Sequence, residues 1–118
     1  MKARVCIFDV NSINREPVIL DNKYEMIEDN STWSIDIFMN DNVKILAVGS
    51  NSKNISLWDL NDIFIKKESQ RIKISGMGHN IPCLQFSPCG RFLAASSIDK
   101  SVKIFSIPNG NLLGSIKL

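Results

Sequence analysis

The chain has 118 residues, 44% of them apolar, and a formal net charge of +2. That is the length of one domain with enough apolar residues for a core. So small a charge gives no general reason to expect nucleic acid or an anionic membrane as partner, because both need a concentrated basic face. No apolar run approaches a membrane span, and the stretch from Met1 to Asp9 turns polar too early for a signal peptide. The expectation is a cytoplasmic or nuclear protein without a membrane segment. Cys6, Cys83 and Cys89 make an odd count without a framework spacing, which predicts reduced thiols rather than disulfides.

Taken in order, the chain reads as short strands and turns. The apolar run Val5-Cys-Ile-Phe-Asp-Val10 opens it, within a two-strand region over residues 3–20. Strands are predicted next at Ser34–Phe38, Ile45–Ser50, Ile55–Asp59 and roughly Arg71–Ser75. The residues 61–70 between the last two are predicted to be a long connection, not a helix. Further strands are predicted at Ile81–Phe86, Phe92–Ser97, Val102–Ile107 and Leu112–Leu118. Ser87-Pro-Cys-Gly90 and Ile98-Asp-Lys-Ser101 supply turns. The count is ten strands and no persuasive helix, an all-β chain.

The strands repeat. Leu46-Ala-Val-Gly-Ser laid over Leu93-Ala-Ala-Ser-Ser, and Ile55-Ser-Leu-Trp-Asp-Leu60 over Val102-Lys-Ile-Phe-Ser-Ile107, share one offset of 93 − 46 = 47. Apolar residues stay apolar wherever a strand needs a buried face. Phe38 aligns with Phe86 if the Asn40-Asp-Asn42 turn carries one extra residue. The opening run, Val5 to Val10, is a third, partial copy of residues 55–60.

The order Gly78-His79, then Phe86-Ser-Pro-x-Gly90, then Asp99, then an aromatic strand end at Phe105 resembles a WD40 repeat, one blade of a β-propeller. The resemblance implies one partial propeller over residues 1–118, about two and a half blades: a half blade at 3–20, with its first two strands absent, and blades at 33–75 and 81–118. It implies that His79, Ser97 and Asp99 form a hydrogen-bonded structural network, with Phe105 in place of the Trp that would be its fourth member. In the preceding copy Ser50 and Trp58 are present, but Ser52 replaces the Asp. It also implies two loop faces. One collects residues 21–32, 51–54, 76–80 and 98–101, with an acidic and apolar patch around Tyr24 and Met26 and with Trp33 at its edge. The other collects residues 40–44, 61–70 and 87–91 and is weakly basic through Lys66, Lys67 and Arg91. Both are candidate partner-binding surfaces.

Catalytic and metal readings compete less well. His79, Ser97 and Asp99 are the residue types of a serine hydrolase, but neither a nucleophile elbow nor an oxyanion-hole glycine accompanies the serine. A carboxylate and a hydroxyl are also what an imidazole inside a blade needs as partners. His79, Cys83 and Cys89 lack the fourth ligand and the paired spacing of structural zinc. Cys83 is read instead as a small apolar residue on an inner strand, and Cys89 as an exposed thiol. Gly76-Met-Gly78 is too short to cradle phosphate and precedes no helix. No cofactor and no metal are expected.

The function expected is a non-catalytic scaffold for protein partners, a fragment of a larger regulatory protein. Within that class His79-Asn-Ile-Pro82, Ser97-Ile-Asp99 and Trp33-x-x-Asp36 are similar to fungal WD40-like regulators of ribonucleotide reductase transcription. The alternatives are a nucleic-acid-associated module through Lys66, Lys67 and Arg71, and a hydrolase. A closed propeller needs on the order of 160 residues. Missing blades from a parent chain, or failing that self-association, are therefore expected to cover the open flanks.

Overall fold

In the computed structural model the described residues are 4–8, 18–21, 31–51, 53–62 and 72–118. They form strands wherever β-branched and apolar residues alternate, and turns wherever Gly, Asn, Asp and Pro cluster. The strands are β1 (Arg4–Ile7), β2 (Val18–Asp21), β3 (Thr32–Met39), β4 (Lys44–Ser50), β5 (Ile55–Asp59), β6 (Ile72–Ile74), β7 (Cys83–Phe86), β8 (Phe92–Ser96), β9 (Ser101–Ser106) and β10 (Leu112–Lys117). All pairings are antiparallel, and the described residues are nearly all β or turn, as expected. Each sheet is a meander in sequence order: β1-β2, then β3-β4-β5-β6, then β7-β8-β9-β10. Residues 60–62 are helical, a short turn where a plain connection was expected.

The 47-residue repeat is carried into the hydrogen-bond register. Leu46 pairs with Trp58 and Leu93 with Phe105, Ala47 with Leu57 and Ala94 with Ile104, Gly49 with Ile55 and Ser96 with Val102. Trp58 and Phe105 therefore hold equivalent places. The inner strands differ from expectation by one residue. Leu93 pairs with Phe86, but Leu46 pairs with Ile37, so the counterpart of Phe86 is Ile37 and the β3–β4 connection is two residues longer than β7–β8. Since successive side chains alternate across a sheet, that one step puts Phe38 on the opposite face. There it meets Phe86 across the gap between sheets, ring centroids 6.2 Å apart and tilted at 51°.

The sheets stack in sequence order, and the repeat governs the stacking too. Ala47, Ile55, Leu57 and Ile74 of the second sheet bury themselves against Leu84, Phe86, Leu93, Ala95, Phe105 and Ile107 of the third. Leu46, Val48, Trp58 and Leu60, each 47 residues before one of Leu93, Ala95, Phe105 and Ile107, are buried against Val5, with Ile7 packed alongside. Removing these side chains from water is the main stabilising term. Two polar bonds lock the second sheet to the third. The Ser34 hydroxyl donates to the Ile81 carbonyl at 2.7 Å, and the Asp36 carboxylate accepts from the Phe86 N–H at 2.7 Å. The Phe38 ring also leaves no room for a side chain at residue 90. A Cβ there would sit 2.3 Å from the ring, and φ is +73°, so the turn requires glycine twice over.

Candidate functional site

The turn between β8 and β9 is built by its own side chains. Short polar residues compete for backbone groups, and here Ser97 Oγ accepts from the Asp99 N–H at 3.5 Å while Asp99 Oδ1 accepts from the Ser101 N–H at 3.0 Å and from the Ser101 hydroxyl. Lys100 takes φ +70°, and its N–H donates to the Ser97 carbonyl at 3.1 Å. The Ser101 hydroxyl, helped by the Ser101 and Ser97 donors and by the charge of Lys117, holds the Asp99 carboxyl below its ordinary range. The turn is tied to the preceding loop by the Ile98 N–H, which donates to the Asn80 carbonyl at 3.1 Å. It is tied again at Gly78, where a Cβ would lie 2.1 Å from Asp99 Oδ2.

His79 is placed differently from the network expected at this turn. It is exposed, and its Nδ1 accepts from the Asn80 N–H at 2.8 Å. The carboxylate of Asp99 is occupied by Ser101 and lies against Gly78, so glycine, not histidine, makes the close approach. Ser101 is the partner that sequence reading missed; an Asp-x-Ser spacing in a turn is the signal that could have found it. Phe105 is fully buried on β9. In the preceding sheet Trp58 and Ser50 are buried on one face of β5 and β4. His79, Ser97 and Asp99 are not assembled into a proton relay, and no group of three or more metal-ligating side chains occurs among the described residues. The three cysteines are free and exposed, Cys83 included. It lies on the innermost strand of the third sheet, but on the flank that no described residue covers.

The opposite loop face carries Arg91, exposed, beside the Ser87–Gly90 turn. The Ser87 hydroxyl, 3.3 Å from Cys89 Sγ, lowers the Cys89 thiol from its ordinary value, with the Arg91 backbone adding to the effect. Lys66, Lys67, Arg71, Tyr24 and Met26 lie outside the described residues. Trp33 is exposed, and its indole N–H donates to Ser31 Oγ at 2.8 Å, which fixes the ring at the rim of β3.

Beside Trp33 is the most unusual surface of the molecule. In β3 the apolar residues Ile35, Ile37 and Met39 are 56%, 49% and 58% exposed, while the polar Ser34 and Asp36 that alternate with them are partly buried. An alternating strand normally does the reverse. The equivalents of Ile35 and Ile37 in the third sheet, Leu84 and Phe86, are only 5% and 7% exposed. A cavity of about 310 Å³ lies here, lined by Val5, Cys6, Trp33, Ile35 and Val48 among others. No helix among the described residues is long and apolar enough to cross a membrane.

Comparison with known proteins agrees with the stacked meanders. In structure the chain is similar to Sqt1 of Saccharomyces cerevisiae, a WD40 propeller, with a TM-score of 0.61 at 16% identity over 75% of this chain and 23% of that one. In sequence it is 34% identical over 113 residues to an uncharacterised WD repeat-containing protein of Schizosaccharomyces pombe, covering 88% of this chain and 22% of the relative. It is 36% identical over 109 residues to a WD40 repeat-containing protein of Dictyostelium discoideum, covering 92% of this chain and 15% of the relative. The chain thus spans about a fifth or less of the curated relatives it matches. The CRT10 family model matches residues 6–113, nearly the whole chain, and this WD40-repeat protein belongs to the CRT10 family.

Proposed function

We propose that the chain is one sector of a WD40 scaffold, the half blade, blade and blade of residues 3–20, 33–75 and 81–118, that holds protein partners in the control of transcription. The control of ribonucleotide reductase genes is the role that its resemblance to fungal regulators suggests. The observation that carries the reading is Trp33 at the rim of β3, an exposed indole whose N–H is held by Ser31 Oγ on a stiff sheet. Large aromatic and apolar side chains held rigid are the usual anchors of protein partners, because little side-chain entropy remains to be lost on binding. The turn at Asp99 serves in this reading as a structural brace for the loops, not as a catalytic group.

The test is a parent protein carrying Trp33→Ser, expressed at wild-type level in cells whose ribonucleotide reductase transcripts are measured. The change is expected to alter transcript level at least about twofold and to release the protein partners recovered with the wild type. Those complexes are expected to survive a rise from 50 to 200 mM salt. A nucleic-acid reader making several phosphate contacts would lose on the order of a thousandfold in affinity over that range. Unchanged transcripts with an intact, well-expressed variant would refute the regulatory reading.

A further inference from the structure

The turn between β9 and β10 holds the one Asn-Gly step of the chain, Asn109-Gly110. The fold requires that glycine. Gly110 takes φ +77°, where other side chains are strained, and a Cβ on it would lie 2.9 Å from Ile74 Cγ1 of β6. The turn therefore packs its main chain directly against the second sheet. It closes through the Ser106 N–H, which donates to the Asn111 carbonyl at 2.9 Å, and through the Gly110 N–H, which donates to the Ser106 carbonyl at 2.6 Å. The Ile107 N–H donates to the Arg91 carbonyl at 2.8 Å, so the turn stands at the same end of the third sheet as Arg91.

Asparagine is among the thermolabile side chains, because its carboxamide carbon can be attacked by the backbone nitrogen of the next residue. Two things prevent the attack: a hydrogen bond that holds the carboxamide away, or a bulky following residue that shields the nitrogen. The described asparagines divide along that line. Asn40 Oδ1 accepts from the N–H groups of Asn42 and Val43, Asn51 Oδ1 accepts from the Ser31 N–H at 2.9 Å, and Asn61 Nδ2 donates to the Asn42 carbonyl at 3.3 Å. Asn42, Asn54, Asn80 and Asn111 are followed by the branched Val43, Ile55, Ile81 and Leu112. Asn109 has neither safeguard. It is exposed, its carboxamide has no hydrogen bond among the described residues, and the residue after it has no side chain.

We propose that Asn109 is a deamidation site, where water and the Gly110 nitrogen convert the carboxamide into a carboxylate whatever partner the scaffold holds. The Gly110 nitrogen attacks Asn109 Cγ. The new C–N bond closes a succinimide ring as the Cγ–Nδ2 bond breaks, and the Gly110 proton leaves with the amide as ammonia. Water then opens the ring at either carbonyl. One opening gives aspartate, and the other gives isoaspartate, in which the main chain runs through the former side-chain carbon. Because the Gly110 N–H is bonded to the Ser106 carbonyl in the closed turn, the reaction proceeds through local opening of residues 106–111.

Both products change the molecule where two sheets meet. Isoaspartate lengthens the main chain by one methylene inside the loop that Ser106 and Asn111 close, and so moves Gly110 off Ile74, a residue of the core between the second and third sheets. Either product adds a negative charge at the end of the sheet that carries Arg91, the exposed cation of that loop face. The glycine that the closed turn needs is thus also what makes the turn chemically perishable.

The experiment incubates the 118-residue chain, isotope-labelled, in mildly alkaline buffer beside an unstructured peptide with the sequence of residues 105–113. Mass spectrometry of proteolytic fragments follows the change from amide to acid, and methyl transfer from S-adenosylmethionine by an isoaspartyl methyltransferase reports isoaspartate. Asn109 is expected to convert before any other described asparagine. Its rate in the folded chain is expected to be at least about tenfold below that of the peptide and to rise with the hydrogen exchange of the Gly110 N–H when urea is added below the unfolding transition. The amide signals of Ile74, Ser106 and Gly110 are expected to shift as conversion proceeds, while those of β1 stay in place. Asn109→Gln, at an exposed position and with a side chain one methylene too long for the same ring, is expected to fold as the wild type does and to leave residue 109 unmodified. The proposal is overturned if residue 109 keeps its amide in the folded chain over the time in which the peptide converts, or if another described asparagine converts first. It is overturned equally if the signals of Ile74 and Gly110 do not move on conversion, or if the Asn109→Gln fragment acquires isoaspartate as the wild type does.

Discussion

The two junctions of this molecule are built from apolar residues at the same spacing, yet one is closed and the other half open. Between the second and third sheets, Phe105 sits in a core that includes both inner and outer strands. Between the first and second sheets, the cluster around Trp58 receives only Val5 and Ile7 of β1 from the described residues of the first sheet. The difference teaches that burial in a stacked repeat is a property of the pair of sheets and not of either sequence. Ile37 and Phe86 hold equivalent places in register, and only the presence of an inner hairpin on the neighbouring sheet separates a surface residue from a core residue.

The comparison breaks most visibly at the aromatic strand ends. Phe105→Ala, at a fully buried site, is expected to cost about 3–5 kcal/mol. Phe8→Ala, at the same place in the partial copy and 66% exposed, is expected to change stability by less than about 0.5 kcal/mol. Denaturant melts of the two variants check this, and equal losses would mean that the first sheet has a covered flank.

A smaller effect is expected at the turn of the closed junction. Gly90→Ala adds a Cβ at positive φ and into the Phe38 ring, which should cost about 1–3 kcal/mol in the same melts. Gly114→Ala, with no atom within 4 Å of its added Cβ, should be near neutral. Comparable in size is Asp36→Ala, which leaves the Phe86 N–H without its acceptor and is expected to cost about 1–3 kcal/mol. Gln85→Ala removes the residue at the matching place on the open flank of the third sheet. It should cost less than about 0.5 kcal/mol, since no sheet is there to receive it.

The smallest effect is a pH dependence at Asp99. Its carboxyl is held below the usual carboxylate value by Ser101, so the unfolded chain binds more protons than the folded one between the two values. The stabilisation is complete above the ordinary carboxylate value and is lost as pH falls through the lowered one. The melting temperature of wild type should therefore drop more steeply on acidification than that of Asp99→Asn, and parallel curves would remove Asp99 from the brace.

The repeat itself was legible because strand faces demand apolar residues at fixed spacing, and Leu46, Trp58, Leu93 and Phe105 obey that demand directly. Phe38 was misplaced by one position because turn length is set by local backbone geometry. The extra residues around Asn40–Asn42, where Asn40 Oδ1 accepts from the N–H groups of Asn42 and Val43, do not announce their register in the sequence. The role of Gly78 beside Asp99 was hidden for a related reason. A close approach of a side chain to a Cα leaves no compositional mark, whereas a histidine in the same loop draws attention to itself. An open apolar flank was expected from the half blade at residues 3–20, but its place on β3 was not, because Trp33, Ile35 and Ile37 have the composition of a core strand, and whether they are covered depends on which strands stand opposite.

Hydrogen exchange at two equivalent amides of the purified chain tests the central claim most directly. The Phe86 N–H, held by Asp36 inside the closed junction, is expected to exchange roughly a hundredfold more slowly than the Ile37 N–H at the half-open one. Equal protection of the two amides would contradict the account, because it would show that the face of Ile37 is already covered in the chain as it stands.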